Sequence, residues 1–319
     1  MANSILHGTA MKQKNKWFII LNPASGNGRA LRDQSRIESL LLKRNISYDI
    51  FISNYPGHSI ELTRMGILKG YRKFIAIGGD GTLNEITNGI FSQKIIPTMN
   101  FKLAAIPVGT GNDWAKNNGL ENNYQSPIRM IADDVSYLHD VGVASFIGSK
   151  KNNQRFFLNF AGIGFDSAVV ENMAMRKFGK LSYLIAILKT FLFYSGTSME
   201  ISIDGKMLKR NVFVMMAGLG KYAGGGMYLA PNSLPDDGFF DVTLVNSLGR
   251  LNLLFSLPKI YNGRILSHPR VEPFRCKKIK IHSSDRPRVE ADGELLGYPP
   301  VTYDIIKKSL QVIGNFKRK

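Results

Sequence analysis

The chain has 319 residues, 44% of them hydrophobic and 21% charged, a composition typical of a globular protein and not of a disordered one. Lysine and arginine number 42 against 24 acidic residues. The resulting formal net charge of +18 draws such a protein toward polyanions: nucleic acid, an anionic membrane face or phosphorylated ligands. The single cysteine, Cys276, excludes an internal disulfide and favours a reducing cytoplasm.

The first 134 residues repeat one pattern: a short apolar run, a glycine-containing turn and a helical stretch. The apolar runs are KWFIILNP, SYDIFIS, RKFIAIGG and KLAAIPVGTGND, and the helix after the last run is a short one from about Asn112. This alternation predicts a doubly wound α/β domain, a parallel sheet with helices on its faces, over residues 16–134.

Strands dominate from residue 135 onward. Apolar residues alternate with others, as at Val212, Val214 and Met216, which is typical of an antiparallel sheet with one solvated face. Two helical insertions, near 167–194 and 249–260, interrupt the strands. We predict an all-β second domain over residues 135–319, whose last strand can return to the first domain and whose exposed sheet edges can pair two copies into a homodimer.

No transmembrane helix is predicted. The most apolar stretch, RKFGKLSYLIAILKTFLFYSG, is broken by Lys180 and Lys189, well short of about 20 residues. Its part 176–189 is basic, and a basic helix with an apolar face can lie on an anionic membrane surface. The alternative is a core helix of the second domain, and both interpretations stay open.

Three glycine-rich turns follow predicted strands: NPASGNG at Asn22–Gly28, GGDGTLNE at Gly78–Glu85 and PVGTGND at Pro107–Asp113. Ligands of parallel α/β sheets bind beyond the carboxyl ends of the strands, and glycine turns that open helices suit phosphate. The turns therefore predict a nucleotide phosphate site, although neither the P-loop nor the dinucleotide fingerprint occurs. The acid of GGDGT would repel phosphate unless a cation or a reacting hydroxyl lay between, which points to phosphoryl transfer with Mg²⁺.

The motifs NPASG, GGDGTLNE and PVGTGNDWA, in this order and spacing, resemble the diacylglycerol kinase catalytic-domain family. GGGMYLAPNSLPDDGFFDV and EADGELL resemble its later motifs, so the resemblance spans residues 16–315. It implies an NAD-kinase-like nucleotide-binding domain, a C-terminal β-sandwich and ATP in the cleft between them. It also implies a lipid kinase that transfers the γ-phosphate of ATP to a lipid hydroxyl, by default that of diacylglycerol, to give phosphatidic acid.

The resemblance places the ATP contacts on the three turns and on a serine after the second strand. These residues are Asn22, Pro23, Ala24, Ser25, Gly26, Ser53, Gly78, Gly79, Asp80, Gly81, Thr82, Leu83, Asn84, Glu85, Thr110 and Asn112. Asp80 is expected to face the phosphates through Mg²⁺ or to position the acceptor hydroxyl, and its alternative role is an Asx turn within its own loop. Asp113, next to the helix cap Asn112, is expected to join a metal–water network.

The turn SLPDDGFFD packs three acids into six residues, and carboxylates with backbone carbonyls on a tight turn suit a hard cation. By resemblance, Asp237 and the backbone oxygens of Leu234 and Phe239 bind a metal that shapes the structure. The alternative is a plain β-turn, for which Pro-Asp-Asp-Gly is well suited.

The motif EADGE sets Asp292 and Glu294 on one side of a bend. Two nearby carboxylates can share a proton, which suits a general base. By resemblance this motif supplies the base that takes the proton of the lipid hydroxyl, and we assign Glu294 with Asp292 as its close partner. The alternative is a solvent-exposed hairpin, since Asp-Gly is a strong turn signal.

The basic surface fits an enzyme that works at an anionic membrane, where each Lys or Arg gains about 1 kcal/mol. Candidate contacts are KKSLQVIGNFKRK, RCKKIK and the stretch 176–189. We expect a cytoplasmic enzyme of lipid metabolism, peripherally bound to the inner face of the membrane, and we recognise no nucleic-acid module.

The identity of the acceptor stays open among diacylglycerol, monoacylglycerol, a sphingoid base, ceramide and a prenol. An NAD kinase-like activity is a second interpretation, because GGDGT occurs there too. A non-catalytic lipid- or nucleotide-binding protein that kept the fold is a third.

Overall fold

The computed structural model describes residue 13 and residues 15–109, 111–121, 123–147, 153–165, 167–169, 194, 196–247 and 258–316. This part of the chain forms two compact units. One holds the residues up to Asp140 and those from Lys307 onward, and the other spans Val141–Ile306. The predicted stretch 176–189, and most of the predicted insertions near 167–194 and 249–260, lie outside the described residues.

Strands and helices follow one another along the described residues in chain order. The strands are β1 (Trp17–Leu21), β2 (Tyr48–Ile52), β3 (Lys73–Gly78), β4 (Lys102–Pro107), β5 (Ser136–Ile147), β6 (Asn153–Phe157), β7 (Phe160–Gly164), β8 (Thr197–Ile203), β9 (Lys206–Gly218), β10 (Tyr222–Ala223), β11 (Met227–Tyr228), β12 (Phe240–Asn246), β13 (Val271–Cys276), β14 (Lys278–His282), β15 (Val289–Ala291), β16 (Glu294–Leu295) and β17 (Tyr298–Ile313). The helices are α1 (Arg29–Arg32), α2 (Gln34–Lys43), α3 (His58–Leu68), α4 (Asp80–Ser92), α5 (Asp113–Asn117) and α6 (Gln125–Ala132), with 3₁₀ turns at Thr98–Asn100 and Ile265–Ser267.

The first unit is built on parallel strands in the order β2–β1–β3–β4, followed by the end of β17. All five residues of β1 are buried, as expected of a continuous apolar run in a parallel sheet covered on both faces. In register, Leu21 pairs with Ile77, and Ile77 pairs with Ile106. The three glycine-rich turns therefore start side by side at one edge of the sheet.

The second unit is antiparallel. The long strand β9 pairs with β8 through its first half and with β7 and β12 through its second half. Strand β14 joins β8 to β17, and β15 joins β7 to β16. The core is apolar and includes the fully buried Phe157 and Phe240, whose rings stack with their centroids 5.8 Å apart.

The structure divides some elements that the sequence pattern presents as continuous and adds others. The strand-rich sequence after residue 135 contains the run NQRFFLNFAGIGFD, which its apolar pattern predicts as a single strand. The structure divides this run into β6 and β7, because a carboxylate of the bend after β15 accepts the N–H groups between them. Helix α6 was not predicted. Its start does carry a sequence signal, an asparagine before the helix and Pro127 in its first turn, and in the structure Asn123 Oδ1 accepts the Ser126 N–H at 2.8 Å. Among the described residues, no helix has the length and hydropathy needed to span a bilayer.

Candidate active site

Asn22 folds the first glycine-rich loop directly after β1. Its backbone N–H donates to the Ile77 carbonyl at 3.0 Å, and its Oδ1 accepts the Ala24 N–H at 3.0 Å. Its Nδ2 donates to Thr82 Oγ1 at 3.2 Å, in the second loop. A single side chain therefore shapes the first loop and ties it to the second.

The second and third loops meet through backbone. The N–H groups of Val108 and Gly109 donate to the Gly78 carbonyl at 2.8 and 3.3 Å. A Cβ on Gly109 would lie 2.8 Å from the Gly79 Cα, a distance that real Cβ atoms do not tolerate. Glycine is required here by the close approach of two backbones.

The first loop also touches the third. Gly26 has φ +62°, and a Cβ at this position would lie 2.5 Å from the Val108 carbonyl oxygen. The same oxygen accepts a hydrogen bond from Arg29 Nη2 at 3.0 Å. The three loops that the sequence predicts to converge are in mutual contact within the first unit.

Asp80 joins the second loop to the start of α5. Its Oδ2 accepts the Asp113 N–H at 2.9 Å, and its Oδ1 accepts the Trp114 N–H at 3.2 Å. The carboxylate thus bonds the third loop, beyond the reach of an Asx turn within its own loop. Both oxygens are held in place, which gives Asp80 a fixed orientation at the meeting point of the loops.

The third loop presents polar oxygens around Gly111. Asp80 Oδ2 and Asp113 Oδ2 lie 3.7 and 3.8 Å from the position that a Cβ on Gly111 would take. Asn112, at φ 52°, donates its Nδ2 to the Gly109 carbonyl at 2.7 Å, and its Oδ1 is buried without a hydrogen-bond partner in the described residues.

The oxygens around Gly111 fit Mg²⁺. The two carboxylate oxygens of Asp80 and Asp113 are hard ligands of the kind that Mg²⁺ takes, and Mg²⁺ in kinases completes its shell with water and substrate phosphate. The orphaned Asn112 Oδ1 lies nearer the positions that a Cβ on Gly109 or Gly79 would take. The described part of the chain contains no group of three or more His, Cys, Asp or Glu side chains able to hold a metal. An ion at this loop would therefore depend on water and phosphate for the rest of its shell.

Several predicted nucleotide residues have structural partners. Glu85 accepts the N–H groups of Gly57 and Ser59 at 2.8 and 3.2 Å, so its carboxylate caps the start of α3. Ser53 is buried, and its N–H donates to the Leu21 carbonyl at 2.9 Å, next to the first loop. Ser53 therefore lies beside the loops that are predicted to hold phosphate.

The remaining predicted residues divide by exposure. Thr82, Leu83 and Asn84 are buried in the first turn of α4, and Asn84 Oδ1 accepts Asn88 Nδ2 at 3.0 Å. Gly81 and Ala24 are exposed, whereas Pro23 and Ser25 are half-buried. Thr110 lies outside the described residues. The exposed loop backbone and the first N–H groups of α4 are what this surface offers to phosphate.

In the second unit, Asp237 has partners of its own. Its Oδ1 accepts the Phe239 N–H at 2.9 Å, and its Oδ2 pairs with Arg275 Nη2 at 2.6 Å. Arg275 also lies over the Phe239 ring, 4.8 Å from its centroid. An arginine therefore supplies positive charge where the sequence predicts a metal held by Asp237 with Leu234 and Phe239. The fit to a metal is poor at this turn, and the metal there stays a prediction.

Strand β12 after this turn carries Asp241. Burial raises the pKa of its carboxyl to about 6, with Arg275 opposing the rise and Asp237 adding to it. The third acid of the motif is thus a half-buried group on a strand. The motif therefore divides into a turn carboxylate beside an arginine and a strand carboxylate.

Asp292 anchors the bend after β15. Its Oδ2 accepts the Leu158 N–H at 2.9 Å, and its Oδ1 accepts the N–H groups of Asn159 and Phe160 at 3.0 and 3.1 Å. Its own N–H donates to the Phe160 carbonyl at 2.8 Å. Three backbone donors on one carboxylate describe an anchor that holds the bend against the turn between β6 and β7.

Glu294 follows on β16 and faces a cation. Its Oε2 forms an ion pair with Arg155 Nη2, and its side chain keeps 38% of its surface exposed. Asp292 thus bonds backbone N–H groups and Glu294 pairs with a guanidinium. The sharing of a proton between the two carboxylates stays a prediction. Both residues are half-buried, but the Asp292 carboxylate is engaged by three backbone N–H groups.

Sequence reasoning missed Arg155 and Arg29. Arg155 stands 139 positions before its partner Glu294, and no motif spacing connects them. Arg29 stands at the start of α1, and its contact with the third loop depends on the sheet order. Arg29 directly follows the first glycine-rich turn, which is a local signal, whereas the sequence around Arg155 contains none of the motifs.

Two family models match the chain. The diacylglycerol kinase catalytic domain matches residues 16–144, and the YegS C-terminal NAD kinase beta sandwich-like domain matches residues 160–314. A curated relative from Staphylococcus carnosus, named diacylglycerol kinase, is 25% identical over 297 residues, which cover 92% of this chain and 93% of the relative.

Solved structures show the same fold. A diacylglycerol kinase from Bacillus anthracis strain Sterne superposes with a TM-score of 0.72 at 24% identity, covering 94% of this chain and 97% of that chain. A yeast NADH kinase superposes with a TM-score of 0.50 at 11% identity, covering 94% of this chain and 83% of that chain. The predicted NAD-kinase-like α/β domain and β-sandwich are confirmed.

Proposed function

Because this chain belongs to the lipid kinase family that joins a diacylglycerol kinase catalytic domain to a YegS-type C-terminal domain, we propose that it transfers the γ-phosphate of ATP to the hydroxyl of diacylglycerol. The product would be phosphatidic acid. The observation that carries the proposal is the convergence of three glycine-rich loops, joined through Asn22, Gly78 and Asp80, beside the first turn of α4.

The loops provide the nucleotide site. Close backbone contact at Gly79 and Gly109 leaves no side chain between the loops, so N–H groups and the α4 start can approach phosphate. Asp80, Asn112 and Asp113 would hold Mg²⁺, which neutralises phosphate charge during transfer. Two backbone N–H groups hold the Asp80 carboxylate, which supports a preorganised site for the nucleotide.

Glu294 is the general base in this proposal. Its carboxylate would take the proton of the lipid hydroxyl while the hydroxyl oxygen bonds to the γ-phosphorus and ADP leaves. Asp292 holds the bend through three N–H groups and so acts on the reaction only by positioning. The accessible surface of Glu294 supports this division of roles.

Diacylglycerol is proposed as the acceptor because the relative from Staphylococcus carnosus carries that name. A sphingoid base, ceramide and monoacylglycerol remain alternative acceptors with the same hydroxyl chemistry. NAD is the second candidate, and its support is the fold of the yeast NADH kinase alone.

The test uses purified protein, Mg²⁺, γ-labelled ATP and each acceptor in mixed micelles, with NAD in a parallel series. We expect label in phosphatidic acid, and we expect Glu294→Gln to lower kcat by about 10²–10⁴-fold. Glu272→Gln is the matched control, since Glu272 also pairs with an arginine, Arg210, and lies outside the site. Label in another lipid would show that this lipid, and not diacylglycerol, is the acceptor. Label in NAD alone would contradict the lipid kinase proposal.

A peripheral membrane location is part of the proposal. The run RCKKIK exposes Arg275, Lys277, Lys278 and Lys280 in the second unit, a basic patch that suits anionic head groups. We expect the protein to sediment with vesicles that contain phosphatidylglycerol and not with pure phosphatidylcholine. Charge reversal at Lys277 and Lys280 should weaken that binding, and unchanged sedimentation would exclude this patch.

A homodimer through a sheet edge remains a further proposal, to be tested by light scattering.

A further inference from the structure

Arg155 and Glu294 form an ion pair within the second unit. The pair joins Nη2 of Arg155, on β6, to Oε2 of Glu294, on β16. The Arg155 side chain is only 17% exposed and the Glu294 side chain 38%, so the arginine side chain is the more shielded from water of the two. Shielding of this kind strengthens a charge-assisted hydrogen bond relative to an exposed surface pair.

The backbone on both sides of this pair is fixed. Arg155 lies opposite Ala144 in the antiparallel pairing of β6 with β5. The turn that follows β6 donates three N–H groups to Asp292, two residues before Glu294. Glu290 Oε2 in turn accepts the Gly293 N–H at 2.8 Å. The cation and the carboxylate are therefore presented to each other by elements that cannot easily drift apart.

Arg155 lacks the contacts of an arginine that serves the fold. Its Nε is buried and makes no hydrogen bond to the described residues. A structural arginine commonly places its five donors on carbonyl and carboxylate oxygens. The ion pair with Glu294 is the hydrogen bond observed for this guanidinium, which suits a group kept for orientation of one carboxylate.

Orientation matters for a general base. A glutamate on a short strand has three rotatable side-chain bonds, and a proton transfer requires one of its oxygens within hydrogen-bond reach of the acceptor hydroxyl. A guanidinium that binds Oε2 fixes the orientation of the carboxylate. When the proton leaves the lipid hydroxyl for Glu294, the arginine keeps its charge and no other proton moves.

We propose that Arg155 is a positioning residue that orients Glu294 for proton abstraction. This inference rests on the proposed function, in which Glu294 is the base. It predicts that loss of the cation lowers turnover without loss of nucleotide binding, because Arg155 acts through Glu294 and not on ATP.

The test compares Arg155→Met, Arg155→Lys and the control Arg210→Met in steady-state phosphorylation of diacylglycerol. Arg210 is a matched arginine, since it also pairs with a glutamate of the second unit, at 2.9 Å. We expect Arg155→Met to lower kcat at least about 30-fold, within the range of general-base effects, with KM for ATP changed less than about 3-fold. Arg155→Lys should recover part of this loss, and Arg210→Met should keep wild-type kcat.

The double variant Arg155→Met/Glu294→Gln separates positioning from a structural effect. Residues that act as a unit are non-additive, so the arginine change should cost nothing further once the base is gone. If Arg155→Met does not fold, Arg155→Gln and Arg155→Lys carry the same comparison.

A kcat of Arg155→Met within about 3-fold of wild type would overturn the inference and leave the lipid kinase proposal standing. An equal loss in both Glu294 backgrounds would also overturn it. A wild-type protein that phosphorylates no lipid would overturn the proposed function and this inference together.

Discussion

Replacement of Asp292 by Asn distinguishes an anchor from a base. The Asp292 carboxylate accepts N–H groups from Leu158, Asn159 and Phe160 at distances of 2.9, 3.0 and 3.1 Å. An asparagine keeps one oxygen and replaces the other by an NH₂ group, which cannot accept. At least one charge-assisted bond is lost, and a donor is set against a backbone donor.

The expected cost follows from these contacts. A hydrogen bond to a charged group contributes about 1.5–3 kcal/mol to stability. Asp292 is half-buried, so solvent still screens part of its charge. We therefore expect Asp292→Asn to lower the free energy of unfolding by about 2–3 kcal/mol. For a unit of this size, in which each kcal/mol shifts the Tm by about 2–4 °C, the Tm should fall by about 4–12 °C.

Differential scanning calorimetry and lipid kinase kinetics should be measured on the same preparations of Asp292→Asn and Glu294→Gln. Asp292→Asn should lose stability, and its kcat should fall through distortion of the bend. Glu294→Gln should lose turnover and lose less stability than Asp292→Asn, because the glutamine amide oxygen can still accept a hydrogen bond from Arg155. An Asp292→Asn variant that is as stable as wild type yet inactive would refute the reasoning and return the base to Asp292.

Three further predictions concern the loops, the acidic turn and the cysteine. Gly109→Ala should raise KM for ATP at least about 10-fold and lower the Tm, because its Cβ would lie 2.8 Å from Gly79 Cα. The control Gly81→Ala should keep the wild-type Tm, because no atom lies within 4 Å of its Cβ. Equal Tm values for the two variants would contradict the close packing of the two loops. EDTA should shift the Tm by less than about 1 °C, since Arg275 already pairs with Asp237. A fall of several degrees that is absent in Asp237→Asn would show that the turn binds the predicted metal. Burial raises the pKa of Cys276 to about 12, so the native thiol should stay unmodified by iodoacetamide at about pH 8 and react only in denaturant; fast native labelling would contradict its burial.

The loops were predictable because their signal is local. Strands β1, β3 and β4 are continuous apolar runs followed by glycine-rich turns, and parallel pairing brings their carboxyl ends to one edge. Their convergence therefore followed from the sheet, and the motifs identified the family. Thr82 and Asn84 show the limit of this reasoning, since a motif does not say which of its side chains face the interior of a helix.

The carboxylates of the second unit were harder to interpret. Adjacent acids suggest a shared proton, but Asp292 meets Phe160 and Glu294 meets Arg155, which lie 132 and 139 positions away along the chain. The acidic turn has the same difficulty, because the cation beside Asp237 comes from β13. The role of a charged group depends on partners that are distant in the sequence, and the spacing of residues within a motif does not predict those partners.

The most direct test offers purified protein, Mg²⁺ and γ-labelled ATP to a total lipid extract in mixed micelles, with NAD in a parallel tube, and separates the products. The account predicts label in a lipid that migrates with phosphatidic acid, and no label in NAD. Label in NAD alone, or no transfer to either acceptor by protein that binds ATP, would contradict it.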